Sequence, residues 1–205
     1  MYFVRIPNII KKLYPKIIWE IPGKEKILYL TFDDGPHPEI TPYILDQLDK
    51  YHAKASFFCL GTMAEKNPQT LELIRQKGHV VGNHSYSHPN GWKTNTADYL
   101  ADIEKAGKII SSKIFRPPYG KIKRAQSSLL HSQFSIFNFS LLPGDYDSSI
   151  SSEKCYQNLA DNVRSGDIIC LHDSEKAWKH LQYCLPRWLQ FLSEQQYTLC
   201  SLPHG

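Results

Sequence analysis

Long apolar runs are missing from this 205-residue chain, as are most other signals that would set it apart from ordinary globular proteins. Through the first 22 residues the apolar stretches are broken by Pro7, Pro15 and several lysines. They provide neither the hydrophobic core of a secretory signal nor the roughly 20 residues of a membrane span. The expectation is a cytoplasmic protein. Five cysteines, Cys59, Cys155, Cys170, Cys184 and Cys200, form no Cys-x-x-Cys pair, and their odd number argues against a closed disulfide framework or a thiolate zinc knuckle. They are expected as reduced thiols, with Cys59 and Cys170 inside apolar strand-like runs. The formal net charge is +4, but Lys and Arg are scattered and form no run that would track a phosphate backbone, so nucleic acid is not an expected partner. No repeat, low-complexity tract or Gly-rich phosphate loop occurs.

What remains is enough chain for one well-filled core and too little for two. Residues 1–25 form a basic, aromatic N-terminal segment with Arg5, Lys11, Lys12 and Lys16, and residues 26–205 form the main domain. Packing of that segment across the base of the domain is the preferred reading, and contact with an anionic membrane surface is the less favoured one.

The apolar run Lys26–Phe32 reads as a buried strand and ends at Asp33-Asp34-Gly35-Pro36. Neighbouring strand side chains face opposite ways, so both carboxylates serve one centre only if the chain bends, which Gly35 and Pro36 permit. Thr41-Pro42 and Asn67-Pro68 each read as a helix cap followed by proline, and Gly78 as a helix stop. Further strands are expected at 55–60, 79–82, 114–115, 134–139, 167–171 and 197–199. Helices are expected near 96–111, 121–131, 152–163 and 176–192. Alternating strands and helices with short links imply parallel strands and right-handed crossovers. Seven strand candidates favour a barrel over an open sheet, with reacting groups gathered where strands end.

Five strand ends carry such groups. After the third, His84 and His88 form a His-x-x-x-His pair among Gly, Asn, Ser and Pro, which argues for a loop. With one carboxylate they would make an open metal site; the plain alternative is two surface histidines. After the fourth, Arg116-Pro117-Pro118-Tyr119-Gly120 presents a guanidinium in a fixed direction, suited to bidentate pairing with a carboxylate. Asp145-Tyr146 follows the fifth, and His172 ends the sixth.

Taken together, Thr31–Pro36, His84 to His88, Arg116–Gly120, Asp145-Tyr146 and Leu171-His172 resemble the five motifs of polysaccharide deacetylases, the NodB-homology family 4 carbohydrate esterases. The resemblance runs from about residue 26 to 199. It implies an α/β fold, a distorted (β/α)7-type barrel, and a divalent metal, usually Zn2+ with Co2+ or Mn2+ as alternatives. It also implies an acetylated amino-sugar glycan as substrate. Asp34, His84 and His88 would be metal ligands, Asp33 the general base held by Arg116, and His172 the general acid tuned by Asp145. The Tyr119 amide would bind the oxyanion and Leu171 would line the acetyl pocket. The family usually has Asp-Trp where this chain has Asp145-Tyr146, which alters the wall of the sugar subsite. Trp92 offers an indole for a sugar ring, or a loop anchor. Alternatives are an O-acetyl esterase, a small-amide amidohydrolase, and a non-catalytic carbohydrate-binding protein. The sequence does not set the oligomeric state.

Overall fold

The computed structural model describes residues 3–23 and 25–203. In chain order the elements are α1 (Asn8–Leu13), β1 (Ile17–Ile18), β2 (Ile27–Asp33), α2 (Ile40–Asp49), β3 (Ser56–Cys59), α3 (Gly61–Lys66), α4 (Pro68–Gln76), β4 (Val80–Asn83) and α5 (Thr96–Ile110). Then come β5 (Ile114–Phe115), a 3-10 turn (Pro118–Gly120), α6 (Arg124–Leu130), β6 (Ser135–Phe137), α7 (Ser152–Ala160), β7 (Ile168–His172), α8 (Glu175–Glu194) and β8 (Thr198–Cys200). Every ladder is parallel, and the strand order is β1-β6-β5-β4-β3-β2-β7, with β8 pairing the first half of β2. The ends of this curled sheet meet where Leu141, just past β6, bridges to Ile169 of β7. The result is a distorted (β/α) barrel.

Alternation along the strands divides the core into two layers. Leu28, Leu30 and Phe32 of β2, with Ile169 and Leu171 of β7, face the helices and pack with Ile44, Leu185 and Trp188. Ile168 and Cys170 face inward with Phe58, Phe137 and Phe139. Helix ends are fixed locally. Asn95 accepts from Asp98 N–H at 3.0 Å and Ser151 from Lys154 N–H at 3.0 Å, caps that contribute about 1 kcal/mol each. Gln126 reaches back to the Lys123 N–H at 2.8 Å.

The N-terminal residues join the sheet. β1 pairs with β6, Ile6 N–H donates to Ser140 O, and Arg5 grips both Asp167 oxygens at 2.7 and 2.9 Å.

Two expected caps differ from the structure. α2 begins at Ile40 after Glu39, so Thr41 is not a cap; its hydroxyl accepts from His37 N–H and donates to Asp173. Asn67 precedes α4, but its side chain donates to Pro36 O and Met63 O and ties the helix to the turn after β2.

Candidate active site

Strand register builds the site at the C-terminal ends of the strands. Asp33 lies level with His172 on β7, so the two side chains leave the sheet together on one face. Asn83 lies level with Phe115, which puts His84 and Arg116 side by side one residue further on. Strained backbone concentrates here: Asp34, Ser85, His88 and Tyr119 all sit at positive φ, between 59° and 82°. L side chains rarely adopt that conformation unless surrounding contacts hold them there.

The left-handed turn at Asp34 bends its carboxylate onto the face that Asp33 already occupies. Its Oδ1 lies 3.7 Å from His84 Nε2 and 3.3 Å from His88 Nε2. His84 Nδ1 lies 2.8 Å from Arg116 O, and a carbonyl only accepts, so Nδ1 carries a proton and Nε2 faces Asp34. Burial, followed by the neighbouring His84, pushes the His88 pKa down to about 4, so this ring is neutral at pH 7. Asp34 Oδ1 is buried and has no hydrogen-bond partner among the described residues. One oxygen and two nitrogens within 4.8 Å of one another form a set that could hold a cation, and the orphaned oxygen fits that use.

Beside this set, Arg116 Nη1 donates to Asp33 Oδ1 at 2.7 Å and to Thr31 Oγ1 at 2.6 Å, while Nη2 donates to Asn138 O at 3.0 Å. The pairing uses a single nitrogen, not the bidentate fork expected from the residue types: Nη1 is shared with Thr31, Nη2 turns to Asn138, and Nε has no partner among the described residues. The guanidinium is fully buried and lies 4.2 Å over the Phe58 ring. Burial alone would raise the Asp33 pKa, but Arg116, followed by His84 and His172, outweighs it and holds the carboxyl below its ordinary value.

On the other side, buried Asp145 accepts from the His172 backbone N–H through Oδ2 at 2.7 Å and lies 2.9 Å from His172 Nδ1 through Oδ1. Burial works against a charged ring, yet Asp145 raises the His172 pKa to about 9, with smaller help from Asp34 and Asp33. The imidazole is thus charged at pH 7, with Nδ1–H fixed on Asp145 and Nε2–H presented to the site.

Asp33, Asp34, His84, His88, Arg116, Asp145 and His172 therefore come together as the sequence pattern implied. The Tyr119 ring stands 59% exposed, 4.4 Å from the His88 ring, and Tyr146 meets His172 edge-on at 5.1 Å. Trp92 is half exposed and its indole N–H donates to Ile122 O, so one edge anchors the loop while the ring reaches solvent. Leu171 is not brought to the site. It alternates with Cys170 and His172 and is fully buried on the helix-facing side. The residue sharing the Asp33 face is Cys170, whose thiol lies 3.3 Å from Asp33 Oδ2. Alternation counted back from His172 would have identified it.

Sequence reasoning missed other supports. Asp173 accepts from Gly35 N–H at 2.9 Å and from Thr41 Oγ1 at 2.6 Å, pinning the turn that carries Asp34. Asn83 accepts from Ser85 N–H at 2.7 Å and donates to Ile103 O, bracing the histidine loop. Two hollows, of about 490 and 1060 Å³, open beside Asp167 and beside Lys113 and Phe134. These flank the N-terminal ends of the strands, away from this cluster.

Comparison with known proteins agrees with this geometry. The polysaccharide deacetylase family model matches residues 20–132. A peptidoglycan-N-acetylglucosamine deacetylase of Bacillus cereus is 40% identical over 160 residues, covering 75% of this chain and 57% of that protein. A second protein of the same name and species is 32% identical over 202 residues, covering 94% of each. A crystal structure of a peptidoglycan N-acetylglucosamine deacetylase bound to 4-naphthalen-1-yl-N-oxidanyl-benzamide superposes with a TM-score of 0.88 at 32% identity, covering 97% of this chain and 95% of that one. The chain thus spans 57% of the first relative and nearly all of the second. With its curled parallel sheet and converging motif residues, this chain belongs to the polysaccharide deacetylase family of hydrolases.

Proposed function

We propose that this chain removes N-acetyl groups from N-acetylglucosamine units of peptidoglycan, with a divalent cation, zinc foremost, held by Asp34, His84 and His88. The observation that carries the reading is the buried Asp34 Oδ1, without a hydrogen-bond partner among the described residues, facing the Nε2 atoms of two imidazoles, beside a carboxylate held by Arg116 and an imidazolium held by Asp145. The two Bacillus cereus relatives bear the name of that activity. When bound, the cation supplies polarisation of the acetamide carbonyl and acidification of the attacking water.

The rest is done by the chain. Asp33 Oδ1 is occupied by Arg116, so Oδ2 is the oxygen that takes the water's proton. Arg116 keeps that carboxylate ionised, and packing against Phe58 fixes where it points. The Tyr119 N–H binds the developing oxyanion, and its left-handed backbone sets the direction of the amide. His172 delivers its Nε2 proton to the departing nitrogen, which cannot leave as an anion. Base and acid thus have pKa values driven apart by different neighbours, one by Arg116 and the other by Asp145. Tyr119, Tyr146 and Trp92 supply aromatic walls for the sugars.

The test is product mapping by mass spectrometry on peptidoglycan fragments, N-acetylglucosamine oligomers, O-acetylated sugars and small amides. Loss of N-acetyl groups from the first two classes is expected. Turnover confined to O-acetyl esters or small amides would replace the glycan amide as substrate. Glycan binding with no acetate release from any substrate would favour a binding protein.

A further inference from the structure

A second set of metal-capable donors lies beside the first. Asp33, Cys170 and His172 bring an oxygen, a sulfur and a nitrogen within 4.8 Å of one another. All three leave the same face of adjacent strands, because Asp33 is level with His172 and Cys170 precedes His172 by two residues. Two are already locked through their other atoms, Asp33 Oδ1 by Arg116 and His172 Nδ1 by Asp145. That leaves Asp33 Oδ2, 3.3 Å from Sγ, and the second ring nitrogen of His172, Nε2, as the donors these two bonds do not use. Ligands fixed in this way are ordered before a cation arrives, so little further entropy is lost on binding.

We propose that Asp33, Cys170 and His172 form a second, inhibitory site for a thiophilic divalent cation, with zinc in excess as the natural ligand and cadmium or cobalt as probes. The first set, Asp34, His84 and His88, offers only oxygen and nitrogen, whereas the second adds a thiolate, the donor that selects soft cations. On binding, the Sγ–H bond breaks and a metal–sulfur bond forms. The thiol proton and the Nε2 proton of the charged imidazole both pass to the buffer. Cys170 is buried among apolar neighbours, so without a cation it stays a thiol that donates to Asp33 Oδ2. A cation there engages the oxygen and the nitrogen assigned above to base and acid, so deacetylation stops even with the first site filled. The inhibitory half of the proposal rests on the function proposed above; the site itself does not.

The experiment is a cobalt titration of the metal-stripped protein, followed by absorption and by acetate release. A near-ultraviolet sulfur-to-cobalt charge-transfer band is expected beyond the first equivalent, while acetate release rises with the first and falls with the second. In Cys170→Ser and Cys170→Ala the band is expected to vanish. Losing a ligand should also raise the inhibitory zinc concentration by about tenfold or more, each variant compared with its own uninhibited rate. No band in the unmodified protein, or a band surviving both substitutions, overturns the site. A band with undiminished acetate release overturns the inhibition. A protein that releases no acetate under any condition but shows the Cys170-dependent band keeps the site and refutes the function. Should neither variant fold, X-ray absorption of the unmodified protein with cadmium in excess decides: a sulfur neighbour supports the site, and oxygen and nitrogen alone overturn it.

Discussion

Replacing Asp145 with asparagine removes one charge and preserves the side-chain shape, so it isolates what the carboxylate does to His172. The His172 pKa stands at about 9 against an ordinary 6.5. Without the charge, burial is opposed only by Asp34 and Asp33, so the pKa should fall to 6.5 or below. At pH 8 the protonated fraction would then drop from about nine-tenths to about 3% or less, an expected loss of at least about 30-fold in acetate release from protonation alone. The deficit should shrink as pH falls toward 5.5 and the variant's ring takes up its proton. The assay is a pH–rate profile of kcat, in which the alkaline limb should move down by at least about two and a half units in Asp145→Asn. Linkage gives a second readout. A pKa raised on folding adds stability that is complete below about 6.5 and is lost as pH rises through about 9; here it amounts to about 3 kcal/mol. The variant should therefore be less stable at pH 6 and nearly equal to the parent above pH 10. An equal fall in rate at pH 5.5 and pH 8, with the alkaline limb unmoved, would refute Asp145 as the group that tunes the acid.

Other substitutions test other supports. Arg116→Met should leave Asp33 as an unpaired buried carboxylate and cost about 3–5 kcal/mol in denaturant unfolding. It should also raise the acid limb of the rate profile. Asp33 has a depressed pKa, so its contribution to stability is present above the ordinary carboxylate range and lost as pH falls through the depressed value; the variant should lack that dependence. Leu171→Ala should cost about 2–5 kcal/mol of stability with KM unchanged, because the side chain packs against helices and not substrate. In Gly35→Ala the new Cβ would stand 1.9 Å from Asp173 Oδ2. The turn must shift, and calorimetry should show weaker zinc binding at Asp34 together with a lower Tm.

The fold and most of the site were legible because their signals are local. The run ending at Asp33 reads as a strand, and each polar cluster follows a strand, which parallel topology gathers at one end. What was not legible depends on three-dimensional packing. α1, β1 and α3 escaped because they are short and their pairing or packing partners lie far off in sequence, as with Ile17 opposite Ile136. Thr41 resembles a cap in sequence, yet its hydroxyl is taken by Asp173, more than a hundred residues away. Leu171 was assigned to the acetyl pocket by resemblance, although strand alternation alone places it on the face opposite His172. Arg116 was expected to pair bidentately with one carboxylate, but Thr31 and Asn138 divide its donors.

Acetate release by the metal-stripped enzyme from N-acetylglucosamine oligomers, before and after one equivalent of zinc, measured beside Asp33→Asn, tests the central claim most directly. The account predicts negligible release without metal, recovery with zinc, and a collapse in Asp33→Asn while zinc still binds at Asp34, His84 and His88. Release that persists after metal removal, or an Asp33→Asn variant as active as the parent, would contradict it.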